Sequence, residues 1–599
     1  MSEQTVANTR AQMDRLQLEV SELKGQKGVE DITVGDYVLA RLDQLQVTNM
    51  FGLPGDFNLG FLDLVEDHPN IHWVGNCNEL NASYAADGYA RVKPGSMGVL
   101  LTTFGVGELS AVNGIAGCKS YAEMVPILHI VGAPSTSQQL SKPLLHHTLG
   151  DARYEAYARA YEQFTCCQKY LMNKETAAAE IDHLLTEILV KARPGYMTLP
   201  TNLVFEKISS ERLRTPLSGL PPPNDPEVEA HVIEEIVAKV KAANGGVAVL
   251  VDACAVRHDV VAELKELIEK THLPVYSTPM GKTVIPENYD RYGGIYIGSI
   301  SRPEIREKLE AASLVLSIGG LRSDYNSGNF TYNFPVSHTI ELHSDHTKIA
   351  YAQYPAIGMK QLIPKLTAKL EAFAAAQQAI AVPKFDAVFP KEDTEIISQA
   401  WFWPTMSEFF KPHDVIIAET GTASFGITNV PFPPESIFIA QIFWGSIGYS
   451  VGSTLGAALA ARDRKLGRTI LFVGDGSLQL TVQELSTMLR MELKPIVFVL
   501  NNNGYTIERW LHGKERKYND IFPWAWADLL KVLGDKEEKR STSYTVNNKK
   551  ELSALLADET FLRADKMQLV EVMMDQFDAP VTLVNQAELS GKTNAYTPK

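Results

Sequence analysis

Two short apolar runs, Thr469–Val473 and Pro495–Leu500, each end in small polar residues: Gly474-Asp475-Gly476 after the first, Asn501-Asn502-Asn503-Gly504 after the second. Between them a helical pattern continues to about Arg490. Runs this apolar and this short are predicted to be strands buried on both faces of a parallel sheet. Asp475 and Asn502 lie 27 residues apart, room for one helical crossover between neighbouring parallel strands. Both side chains then stand at the carboxyl ends of adjacent strands, where α/β sheets bind ligands. A carboxylate, an amide oxygen and a backbone carbonyl near Gly504 are hard ligands. They suit Mg²⁺, whose octahedron is completed by phosphate oxygens and water. Gly476, Ser477 and the amides that follow open the helix, a natural seat for a phosphate. Gly-Asp-Gly alone is an ordinary turn; the ligand reading rests on the whole combination.

The rest of the 599 residues repeats the alternation of β-branched runs and longer amphipathic patterns, which predicts α/β architecture: three doubly wound parallel-sheet domains. Two proline-bearing polar stretches divide the chain, at 209–227 and 381–395. The expected units are an N-terminal extension (1–28), a first domain (29–208), a central domain (228–380) and a third domain with a C-terminal tail (396–599). Met13, Leu16, Val20 and Leu23 have roughly helical spacing in the extension, which is neither a signal nor a transit peptide in composition. The net charge of −15 argues against nucleic acid or an anionic membrane as partner. It also means that a polyanionic ligand needs a bound cation beside it. Five scattered cysteines form neither a disulfide framework nor a zinc motif, so a reducing, cytoplasmic setting is expected. No apolar run approaches the ~20 residues of a membrane span.

Four further features bear acid–base chemistry. Glu79, in Asn78-Glu79-Leu80-Asn81-Ala82, follows an apolar strand and starts an alanine-rich helix; such a glutamate is ordinarily a cap, and burial would raise its pKa. Asp56 ends the glycine turn Gly52–Asp56. His146 and His147 are adjacent in a polar loop, either a surface pair or a proton-transfer pair. Glu508 lies six residues beyond Asn502, at a predicted helix start. Gly105-Val106-Gly107 begins like a dinucleotide fingerprint, but Ser110 replaces the third glycine, which discounts an NAD site.

The Gly474–Glu508 stretch resembles the thiamine-diphosphate fingerprint of the decarboxylase and acetohydroxyacid synthase superfamily. With Asp56, Glu79, His146, His147 and Glu508, the chain is similar to pyruvate decarboxylases and their indolepyruvate and phenylpyruvate relatives, the fungal type above all, from about residue 29 onward. That resemblance implies pyrimidine-binding, central and diphosphate-binding domains in order, with thiamine diphosphate and Mg²⁺ as cofactors. It implies that Asp475, Asn502 and the Gly504 carbonyl hold the metal and that Glu79 activates the coenzyme. Thr420 and Thr422 would border the coenzyme, Ile447 would wedge between its two rings, and the Gly445 carbonyl, next to Ser446, would accept from its amino group. Tyr325, Thr420, Ser424 and Ile507 would border the substrate. The implied reaction is non-oxidative decarboxylation of pyruvate, a small 2-oxo acid, to acetaldehyde and CO₂ through the coenzyme's ylide and enamine. An aromatic or broad 2-oxo acid decarboxylase is the alternative. A carboligase or a cofactor-binding scaffold is a more distant one. A homodimer is the implied minimum and a homotetramer is common. Met124 and Ala255 depart from relatives that carry a histidine and a second cysteine there, which puts substrate activation in doubt.

Overall fold

The computed structural model describes residues 30–119, 123–378 and 380–593; the helical spacing at Met13–Leu23 lies outside the described residues. The first sheet runs, in spatial order, His72–Trp73, Asn49–Gly52, Gly98–Thr103, Ile127–Ala133, Gly195–Pro200, Gln168–Tyr170, all parallel. The third runs Ile437–Ile439, Val415–Ala418, Thr469–Gly474, Ile496–Asn501, Met567–Met573, Ser541–Val546, again all parallel. Successive residues feed opposite cores, as a sheet covered on both faces requires. Leu100 packs into one core while Val99 and Leu101 enter the other. Phe472 and Leu471 divide in the same way in the third domain.

The central sheet is parallel from Tyr292–Ile295 through Val275–Ser277, Val247–Val251 and Leu314–Ile318 to Thr339–Leu342. It then departs from the all-parallel expectation: His346–Ile349 and Ala352–Pro355 add on antiparallel. The turn between Leu342 and His346 is too short for a crossover helix, so the chain can only reverse.

The crossover between the two chemistry-bearing strands is two helices, Asp475–Thr481 and Glu484–Arg490, rather than one. The proline-rich stretch after the first domain is also more ordered than its composition suggests. Arg41 donates to the carbonyls of Arg212 and Thr215 at 2.6 and 2.9 Å, holding a 3₁₀ turn at Glu211–Arg214. Pro226 sits in the first helical turn, where its missing N–H costs nothing, and Asp225 caps that helix.

One helix pair joins the first domain to the third. Glu79–Val92 lies against Tyr449–Arg464 through small residues. A Cβ on Gly456 would fall 1.8 Å from the Ala85 carbonyl oxygen, and one on Gly88 would fall 2.0 Å from that of Ser453. This contact merges one face of each domain into a common core and brings the start of the Glu79 helix beside the Phe443–Gly452 segment.

Candidate active site

Gly474 pairs with Leu500, so Asp475 and Asn502 emerge side by side from neighbouring strands. Both are buried. Asp475 accepts from the Gly476 amide at 2.9 Å and the Gly504 amide at 3.2 Å. Burial raises its carboxyl to about 6 against those amides; a cation beside it would favour the carboxylate instead. One end of the Asn502 amide lies 2.9 Å from the Gly504 carbonyl and 3.1 Å from Asp475 Oδ1, and the other lies 3.0 Å from Thr506 Oγ1. With its nitrogen at the first end the amide donates to both oxygens and accepts from Thr506. With its oxygen there instead, three oxygens would converge with no proton among them, the donor set of a hard cation. Gly504 needs glycine for this, since its φ is +122°.

Thr420, Thr422, Ile447, Gly476, Ser477, Asn502, Gly504 and Ile507 line one cleft over these strand ends. Gly421, with φ +131°, turns the chain so that Thr422 opens a helix there. Thr420 also lines a neighbouring small pocket with Tyr325 and Ser424, where the Tyr325 ring meets Phe425 edge to face. Gly445, at φ +61°, and Ser446 sit on the segment leading into Ile447; the Ser446 amide donates to Gln441 Oε1 at 2.9 Å. Glu508 is in the first turn of Thr506–Leu511 with its side chain at the surface, and desolvation raises its carboxyl.

The remaining predicted residues gather at the strand ends of the first domain. Asp56 Oδ2 lies 2.6 Å from His146 Nε2, and Oδ1 lies 4.0 Å from His147 Nε2. The carboxylate acceptor requires the proton on His146 Nε2. Phe57 stacks on the His146 ring at 5.1 Å. His147 takes a left-handed φ of 63°, with its carbonyl held by the Tyr157 hydroxyl at 2.8 Å. Glu79 opens its helix after the Asn78 cap, half-buried, and desolvation raises its carboxyl. The third-domain cleft is lined by third-domain residues alone.

Three family models match the chain in order: the N-terminal binding, central and C-terminal binding domains of thiamine pyrophosphate enzymes, over residues 32–154, 233–370 and 419–572. The chain is 46% identical over 571 residues to pyruvate decarboxylase isozyme 1 of Saccharomyces cerevisiae, covering 95% of this chain and all of that one. It is 47% identical to a putative pyruvate decarboxylase of Schizosaccharomyces pombe, covering 94% and 99%. A pyruvate decarboxylase of Aspergillus terreus is 44% identical, covering 94% and 98%. The chain belongs to the pyruvate decarboxylase family of thiamine pyrophosphate enzymes.

Two features of this family member escaped sequence reasoning. Glu419, at the end of Val415–Ala418, is fully buried; its carboxylate accepts from Ser450 Oγ at 2.5 Å and from the amides of Thr420, Ser450 and Gly448 at 3.0, 3.1 and 3.2 Å. It fixes the strand end to the Ile447 segment from below. The available signal was a lone acid closing an apolar strand, which has to find donors if it is buried. The second is Glu123, also buried, which accepts from the Phe443 amide at 3.1 Å and is paired with Arg91 at 2.8 Å. Arg91 also pairs with Asp87, which accepts from Tyr449. This network carries no local motif, because its members come from three separate parts of the chain. Among the described residues no helix is long and apolar enough to cross a membrane.

Proposed function

We propose that this chain uses thiamine diphosphate and Mg²⁺ to decarboxylate pyruvate to acetaldehyde and CO₂. The observation that carries the proposal is the convergence of Asp475, Asn502 and the Gly504 carbonyl at adjacent strand ends, in a chain of this family. Full-length similarity to proteins named pyruvate decarboxylases supports the substrate. Those three residues hold Mg²⁺, and Gly476 and Ser477 meet the diphosphate. Thr420, Thr422 and Ile447 line the cleft and would border the coenzyme, and the Gly445 carbonyl, on the segment leading into Ile447, would accept from its amino group. When bound, the coenzyme supplies a nucleophilic carbon and accepts the electron pair that CO₂ leaves behind.

Glu79 would hold a proton for the coenzyme's pyrimidine nitrogen; desolvation raises its carboxyl and suits it to that role. Asp56 orients His146 through Nε2, leaving Nδ1 free to take a proton. His147 and Glu508 complete the acid–base set for product release. Tyr325, Thr420 and Ser424 line the small pocket beside the third-domain cleft, and full-length similarity to proteins named pyruvate decarboxylases favours pyruvate over the indole- or phenylpyruvate alternative. The first-domain set and the third-domain cleft share no lining residue, which supports completion of each site across two chains, in a homodimer at least and a homotetramer by family habit. Five free cysteines support a reducing cytoplasm.

The test is an alcohol dehydrogenase-coupled assay of wild type and Glu79→Gln with thiamine diphosphate, Mg²⁺ and a panel of 2-oxo acids. Wild type should show the highest kcat/KM on pyruvate, and the folded variant should lose most turnover. Higher kcat/KM on phenylpyruvate would move the chain to the aromatic class, and no CO₂ from any 2-oxo acid would end the proposal.

A further inference from the structure

Away from this site, a cleft of about 940 Å³ opens between the first and central domains, with Met124, Arg193, Arg257 and His258 among its walls. Two sulfur donors and an imidazole meet beside it. Cys254 opens the short helix Cys254–Arg257 and His258 caps it, so the two side chains, four residues apart, share one helix face. The His258 amide donates to the Cys254 carbonyl at 3.0 Å, which closes that turn. Met124 arrives from the first domain, just ahead of the strand Ile127–Ala133. Its backbone is held at φ +45°, a conformation that costs a non-glycine residue free energy and persists only where the surroundings impose it. Met124 Sδ lies 3.6 Å from Cys254 Sγ and 3.2 Å from His258 Nε2.

With tetrahedral angles and the fourth position left open to the cleft, metal bonds of about 2.3 Å to sulfur and about 2.0 Å to nitrogen give donor–donor edges of roughly 3.5–3.8 Å. Both separations fall within a few tenths of an ångström of that range. Cys254 and Met124 are buried, while the wide cleft beside Met124 and His258 gives an ion a way in.

We propose that Met124, Cys254 and His258 bind one soft monovalent metal ion, Cu(I) or its heavier congener Ag(I), and thereby clip the first domain to the central one. A thiolate and a thioether select Cu(I) over the harder Mg²⁺ used at the strand ends. Charge points the same way. On binding, the Cys254 thiol loses its proton to solvent, and a monovalent ion and one thiolate cancel, whereas a divalent ion would leave a buried net charge.

The test is an anaerobic titration of the Mg²⁺- and thiamine-diphosphate-loaded protein with Cu(I) against a chromogenic Cu(I) chelator. Wild type should retain one tight ion per chain. Met124→Leu, close in volume, and Cys254→Ser should each weaken its retention at least tenfold; Cys77→Ser, which removes an exposed thiol, should leave it unchanged. X-ray absorption of the wild-type complex should show two sulfurs at about 2.3 Å and one nitrogen at about 2.0 Å. Equal retention by wild type and Met124→Leu would overturn the proposal, because Cys254 would then be acting without the thioether. So would an absorption spectrum with a single sulfur ligand.

Discussion

Glu419 shows how much one buried carboxylate can control. Burial raises its carboxyl to about 7, against a usual value of 4.5, although four donors face it. A group whose folded value lies above its unfolded value contributes stability that is complete below about pH 4.5 and lost as the pH rises through about 7. Glu419→Gln removes that titration. Other raised carboxyls, Glu108 among them, are common to both proteins and cancel in the comparison. Denaturant melts from pH 4.5 to 7.5 should therefore show the advantage of wild type over Glu419→Gln shrinking by on the order of 2 kcal/mol across that range. A difference constant with pH would mean that Glu419 is ionised throughout. The polar members of the candidate site, Asp475, Asn502, Glu79 and the His146–His147 pair, were legible from residue type and spacing. Glu419 and Glu123 were not, since a buried acid is defined by donors that tertiary contacts deliver.

At the scale of elements, the close crossing of Glu79–Val92 and Tyr449–Arg464 depends on the absence of side chains at Gly88 and Gly456. A methyl on Gly456 meets backbone, which cannot rotate away as a flexible side chain would. Gly456→Ala should cost roughly 1–3 kcal/mol in urea unfolding, despite alanine's better helix propensity. Stability equal to or above wild type would show that the helices can separate without loss. The strand–helix alternation of this region was readable from periodicity alone. The antiparallel edge of the central sheet and the break after Thr481 were not, because turn length and local packing set them, and neither alters the apolar pattern.

The whole molecule decides how the two halves of the site meet. Asp56, Glu79, His146 and His147 stand at first-sheet strand ends, while Asp475, Asn502 and Gly504 line or flank a cleft in the third domain. If each complete site takes its first-domain set from one chain and its third-domain set from another, two dead variants can rescue each other. Co-expressed Glu79→Gln and Asp475→Asn should recover up to about a quarter of wild-type activity, because half of randomly paired dimers are mixed and each carries one intact site. A site built within one chain gives no recovery.

The sequence by itself determined the three α/β layers and the chemistry of the coenzyme fingerprint. Short continuous apolar runs and oxygen ligands at strand ends are written in neighbouring residues, and their physics is local. Only the tertiary structure decided which distant groups share an environment. It placed Glu419 beneath the Ile447 segment, Glu123 behind Phe443, and Met124 against Cys254 and His258. Each of these contacts joins residues well separated along the chain, and such proximity comes from tertiary packing, which no local pattern encodes.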